Sequence, residues 1–221
     1  MLEKRSSSGD LEITAYHEAG HAVVTRLLGI PINWIVLKYK KQPAKCEGEH
    51  NGYFDFDPSF IPDWMWDNLD LDSKIPYDEL QFEYPTYPEP YQEYKKVRDR
   101  CTLDYAGLVT QQLFYKRRGQ EESLMVSEGC SDDMKRAEER IGEKFQSQDM
   151  KKELAYAESH AEKILSNEIV QRMLEDLAEY MVNAILTDQK EREEYDLTTE
   201  YRLARRDIYQ CFERTLAGGN S

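Results

Sequence analysis

The run Ala15-Tyr16-His17-Glu18-Ala19-Gly20-His21-Ala22-Val23-Val24 constrains this chain more than any other stretch. Apart from His17, Glu18 and His21 its residues are small, apolar or aromatic. The wider segment from Leu11 to Leu28 places its apolar residues at helical rather than alternating spacing. A helix of that composition is buried. Burying two imidazoles and a carboxylate is costly unless each finds a partner. Residues four apart share a helix face, so His17 and His21 can reach one metal ion, with Glu18 beside them.

This H-E-x-x-H arrangement is the pattern of a catalytic zinc site, in which three protein ligands leave one position open and the ion activates a water and polarises a carbonyl. Glu18 would then be the catalytic base, taking the proton of the attacking water and passing it to the leaving amine. The expectation is a zincin-type metallopeptidase with His17 and His21 as ligands of Zn2+. The spacing singles out no third ligand, and any Asp, Glu or His of the helical half is a candidate. Val24 and Leu27 stand where an extended H-E-x-x-H-x-x-G-x-x-H would need glycine and histidine, which disfavours a metzincin.

Around this helix the chain reads as α+β and predominantly helical. Asp10 or Thr14 can cap the helix, and Gly29 and Pro31 end it. Ile32 to Tyr39 is β-branched and aromatic and predicts a strand, a polar turn spans Gln42 to Asn51, and Gly52 to Asp57 alternates as a second strand. Pro58 to Pro90 mixes prolines, acids and aromatic residues without a period. It reads as an insertion whose Trp64 and Trp66 either pack on the body or wall a substrate cleft. Helical periodicity returns from Tyr91 to Tyr115 with Gly119 as a stop. It continues from a Ser131 cap through Ile141, along Lys151 to Ile185 and, after a loop at Thr187 to Glu194, from a Thr198 or Thr199 cap to Leu216. The expected organisation is one domain, with residues 1–57 as metal helix and small sheet, 58–90 as insertion or lid, 91–216 as an all-helical part and 217–221 as a tail.

Composition narrows the partners. A chain of 221 residues is short for two independent enzymatic units, and a net charge of -14 repels phosphate backbones and anionic lipid, so neither nucleic acid nor a membrane is expected. Lys38, Lys40 and Lys41, and Lys116, Arg117 and Arg118, read as solvated strand or helix ends. Cys46, Cys101, Cys130 and Cys211 form no C-x-x-C pair and suggest free thiols in a reducing compartment. With no signal-peptide core at the start and no long apolar run, the expectation is a soluble, cytoplasmic protein. Cys46 and His50 have C-x-x-x-H spacing but lie in a polar turn with no second pair, and His160 sits among acids on a long helix; neither is expected to bind metal.

The sequence resembles the protease domain of the FtsH-type AAA+ metalloproteases. The likeness rests first on Ala15 to Val24 and continues into Trp34-Ile35-Val36-Leu37, similar to that family's substrate-side strand. Asp104-Tyr105-Ala106-Gly107 with Gln111-Gln112-Leu113-Phe114 resembles its Ala-Gly helix, where a glutamate commonly stands near Gln111 or Gln112. Glu128-Gly129-Cys130-Ser131-Asp132-Asp133-Met134 resembles the segment that supplies an aspartate as third zinc ligand, and Ala155 to Leu177 its last helices. The resemblance implies Asp133 as that ligand, with Asp132 where the family has asparagine. The chain shows no Gly-rich phosphate loop, and residues 58–90 have no counterpart in the likeness. The resulting expectation is an ATP-independent endopeptidase acting on peptides or unstructured segments, as a monomer or small homo-oligomer. The alternatives are a catalytically silent or gated zincin-fold binding protein and a protease subunit served by a separate ATPase.

Overall fold

A computed structural model of the chain describes residues 7–30, 32–42, 47–56, 92–119, 130–144, 147–191 and 198–218. Helix α1, Ser7–Leu27, carries the H-E-x-x-H run. Ala15, Ala19, Ala22, Val23, Val24, Leu27 and Leu28 are all fully enclosed, on every side of the helix, as expected of an element at the centre of a fold rather than on its surface. Gly29 ends it with φ 72°, its N–H donating to Arg26 O at 3.1 Å while Ile30 N–H donates to Thr25 O at 2.9 Å. These two bonds form a Schellman cap, which a Cβ at position 29 would strain.

Strand β1, Ile32–Gln42, follows and pairs antiparallel with β2, Glu47–Phe56. The turn expected over Gln42 to Asn51 is therefore mostly ladder, with Lys40 opposite Glu49 and Tyr39 opposite His50. Helix α2, Gln92–Arg117, is next, and Arg118 and Gly119 close it, the glycine at φ 63°. Helix α3, Ser131–Lys144, starts one residue after Cys130, whose carbonyl accepts the first bond, from Met134 N–H at 3.0 Å.

The stretch expected as one long helix is two: α4, Ser147–Leu165, and α5, Glu168–Glu191. Asn167 makes the break, its Oδ1 accepting from Ile169 N–H at 2.9 Å and Val170 N–H at 3.4 Å as the cap of α5. Helix α5 also takes in Thr187 to Glu191 of the expected loop.

The largest correction lies further on, where Thr198–Ala204 is a strand, β3, and not the capped start of the last helix. It pairs antiparallel with β1, Ile35 opposite Leu203, giving the sheet order β2-β1-β3. The second half is therefore not all-helical. The reason is visible in the burial pattern: Tyr201 and Leu203 turn inward while Arg202 and Ala204 face out, the period of a half-buried strand. Arg202 lies over the Trp34 ring at 4.3 Å. Helix α6, Arg205–Gly218, then returns over α5, burying Ile208, Cys211 and Phe212.

The result is predominantly helical with a small antiparallel sheet, α1 lying between the sheet and helices α2 and α5. The proposed insertion with Trp64 and Trp66, and the Cys46 end of the C-x-x-x-H pair, lie outside the described residues. Cys101, Cys130 and Cys211 are free and buried. Among the described residues no helix is long and apolar enough to cross a membrane. Of the basic groups, Arg117 pairs with Glu175 and Arg118 with Glu12, tying the end of α2 to α5 and α1.

Candidate metal centre

Three elements meet at the H-E-x-x-H face. Helix α1 supplies His17, Glu18 and His21, α2 crosses behind the imidazoles, and the first turn of α3 brings in Asp133. The crossing is close because it is built on small residues: a Cβ on Gly20 would stand 3.0 Å from Ala106 O and 2.1 Å from Thr110 Oγ1. Gly107 lies against His17 itself, where a Cβ would be 2.3 Å from the ring Cε1.

In that space the ligand-type atoms converge. His17 Nε2 is 3.0 Å from His21 Nε2, and Asp133 Oδ2 is 3.1 Å from the first and 3.3 Å from the second. Among the described residues this is the one group of His, Cys, Asp or Glu side chains able to hold a metal ion. All are buried: His17 is 8 % exposed, Glu18 4 %, His21 6 % and Asp133 6 %. Asp132, the neighbouring candidate, is exposed on the other side of α3 and takes no part. His160 is also apart, on α4 with its Nδ1 3.5 Å from Thr102 Oγ1.

The surroundings fix the orientation of each group. His21 Nδ1–H donates to Leu103 O at 2.8 Å, which turns the lone pair of Nε2 toward Asp133 and His17. Gln111 meets His17 Nδ1 at 3.2 Å, and Cys130 Sγ lies 3.5 Å from Gln111 Oε1. On the far side of Asp133, Arg136 donates to Oδ1 and also approaches Asp104, which Arg140 holds.

These contacts set the charges. Burial alone would raise Asp133, but the His17 and His21 rings standing at its Oδ2 outweigh it and hold the carboxyl well below the usual range. Glu18 goes the other way: burial pushes it up to about 7, His17 and Arg136 opposing and Asp133 adding to the rise. Its Oε2 has no hydrogen-bond partner among the described residues. A buried carboxylate oxygen without a protein partner, beside converging nitrogen and oxygen donors, fits a site that takes a cation and its water. The donor set, two imidazoles and one carboxylate, fits a metal ion.

Sequence reasoning brought His17, Glu18 and His21 to one place, and the resemblance pointed to Asp133. It missed the Leu103 carbonyl, which carries no side-chain signal, and Cys130 and Arg136, whose neighbours are set only by tertiary packing. Gly107 was legible in principle: a glycine inside a helical run costs about 1 kcal/mol relative to alanine and calls for a reason.

No family model matches the chain, and no curated protein is significantly similar to it.

Proposed function

We propose that the chain is a zinc-dependent metalloendopeptidase of the zincin type, organised like the protease domain of FtsH-type enzymes, with His17, His21 and Asp133 holding Zn2+ and Glu18 as base. The observation that carries this reading is the triangle of ligand atoms, 3.0, 3.1 and 3.3 Å on its sides, together with the buried Glu18, whose Oε2 has no partner among the described residues. Ligands about 2.0–2.1 Å from a tetrahedral zinc lie roughly 3.3 Å from one another, so the spacing supports a tetrahedral N/O site.

Zinc, when bound, supplies Lewis acidity, lowering the pKa of a water and polarising the scissile carbonyl. The rest falls to the chain's own groups. Glu18, with its proton affinity raised toward neutrality, can accept a proton and return it to the leaving amine in the same turnover. Asp133, held anionic, balances the ion's charge, and Leu103 O holds His21 in the tautomer that offers Nε2. The substrate class is peptides or unstructured segments, cleaved without ATP.

The test is metal content together with cleavage of an unstructured protein in the absence of ATP. Parent protein is expected to carry about one zinc per chain and to cleave. His21→Ala should lose both, and Glu18→Gln should keep zinc while cleavage falls by about 100-fold or more. A Glu18→Gln variant as active as the parent would refute the mechanism.

One observation favours a second reading, a gated or silent binding module: all four site residues are less than a tenth exposed. Zinc uptake with no cleavage across a diverse peptide library would select it. Cleavage appearing only with an added ATPase would make the chain a protease subunit.

A further inference from the structure

We propose that the Gln111 side-chain amide is a two-position clamp on His17, turned one way in the metal-free site and the other way when His17 holds the ion. The inference rests on the metal-site reading above and concerns what Gln111 and Cys130 do to it.

His17, Gln111 and Cys130 are all buried, at 8 %, 6 % and 0 % exposure, so their polar atoms depend on one another and on buried neighbours for hydrogen bonds. In the structure Gln111 Nε2–H donates to His17 Nδ1 at 3.2 Å, and the Cys130 thiol donates to Gln111 Oε1 at 3.5 Å. A neutral His17 whose Nδ1 accepts must carry its proton on Nε2, where Asp133 Oδ2 stands 3.1 Å away to receive it. The chain Cys130, Gln111, His17, Asp133 is then consistently donor to acceptor from end to end.

That same order prevents His17 from acting as a ligand, because Nε2 is the atom that faces His21 and Asp133 and it must offer a lone pair to bind metal. With the ion bound, the imidazole proton sits on Nδ1. Left in place, the Gln111 N–H would face that N–H at 3.2 Å, two buried donors whose shared near acceptor is the weak one of Cys130 Sγ, 3.7 Å from Nδ1. A half-turn of the amide removes the conflict: Oε1 accepts from Nδ1–H and Nε2–H donates to Cys130 Sγ. No proton is gained or lost by the protein, since the neutral imidazole changes tautomer and the amide changes face. A thiol is suited to the far end because it donates in one arrangement and accepts in the other. His21 has no such freedom, for the Leu103 carbonyl can only accept and fixes one tautomer throughout.

Gln111 is thus a positioning residue, distinct in chemistry from a carboxylate at the same place. A glutamate could only accept and would hold His17 permanently in the metal-ready tautomer.

The experiment uses the whole protein labelled with 15N at histidine, observed by NMR without zinc and with one equivalent of zinc. His17 is expected to carry its proton on Nε2 without zinc and on Nδ1 with it, while His21 carries Nδ1–H in both. Chelator competition on variants gives the second readout: Gln111→Glu should bind zinc about tenfold more tightly, and Gln111→Leu about 10- to 100-fold more weakly. His17 in the same tautomer in both states overturns the inference, whether or not the leucine variant folds. So do glutamate and leucine variants both within about threefold of the parent. A parent protein that takes up no zinc overturns it together with the metal-site reading, whereas zinc uptake with His17 unchanged overturns this inference alone.

Discussion

Replacing Gly107 by alanine tests the packing that aims His17. The added Cβ would stand 2.3 Å from Cε1, 2.6 Å from Nδ1 and 2.7 Å from Nε2 of that ring, about 1 Å inside the roughly 3.5 Å at which carbon atoms rest against one another. The helices cannot simply part, because α1 and α2 also touch at Gly20, where the Ala106 carbonyl leaves 3.0 Å for a Cβ. The imidazole must therefore move by about 1 Å, well beyond the ±0.2 Å or so within which metal–ligand distances hold. Stability changes little by comparison. Overpacking costs about 1–3 kcal/mol, and exchanging an internal helical glycine for alanine returns about 1 kcal/mol. The expected outcome is a folded Gly107→Ala protein, destabilised by about 0–2 kcal/mol in chelator, that binds zinc more weakly by about 100-fold or more. Thermal unfolding in chelator and chelator competition measure the two effects separately. Gly20→Ala is the companion variant, expected on the same arithmetic to lose about 0–2 kcal/mol of stability yet retain zinc, since its Cβ meets Thr110 and Ala106 and no ligand. A Gly107→Ala protein with the parent's zinc affinity would refute the claim that this contact positions His17.

Two further outcomes follow from burial. Asp133→Asn should lower zinc affinity by more than the roughly 100-fold typical of changes outside the ligand shell, while Asp132→Asn, on the exposed side of α3, should leave it within a few-fold; chelator competition on the pair decides. Burial, with Lys163 adding, lowers His160 to about 4 from an ordinary value of 6.5. The unfolded chain therefore takes up that proton first, and stability is lost as pH falls from about 6.5 toward 4, by up to about 3 kcal/mol. His160→Gln should remove that part of the acid sensitivity, measured by urea unfolding at pH 7 and pH 4.5; a variant with the parent's full acid sensitivity would show that His160 is not its source.

What the sequence could disclose depended on how local each cause was. Helix α1 was legible because its apolar spacing and its two histidines lie within 21 residues and obey one period, with its glycine stop two residues beyond. The break at Asn167 was also local, a capping residue inside a helical run, but the continuous apolar face on either side of it masked the cap. Strand β3 was obscured for another reason. Thr198 and Thr199 suit a helix cap as well as a strand, and only pairing with β1, more than 150 residues earlier, decides between them. The third ligand was the least local of all: Asp133 reaches the histidines because α3 packs on α2 and α2 on α1, which no spacing within a single helix expresses.

The same packing separates the four polar groups of the site into two kinds. His17, His21 and Asp133 are each held twice, by one another and by Gln111, Leu103 O and Arg136 respectively, so removing any one disturbs the other two. Glu18 is different, since its Oε2 has no partner among the described residues and burial raises it toward neutrality instead of fixing it as an anion. A carboxylate left in that condition adds little to the stability of the metal-free fold and keeps its proton affinity in the range where a base must work. On the proposed function, metal retention and proton transfer therefore reside in different side chains. That division is why Glu18→Gln, which preserves shape and removes only the titrating oxygen, is expected to separate zinc binding from cleavage, whereas no substitution among the three ligands can.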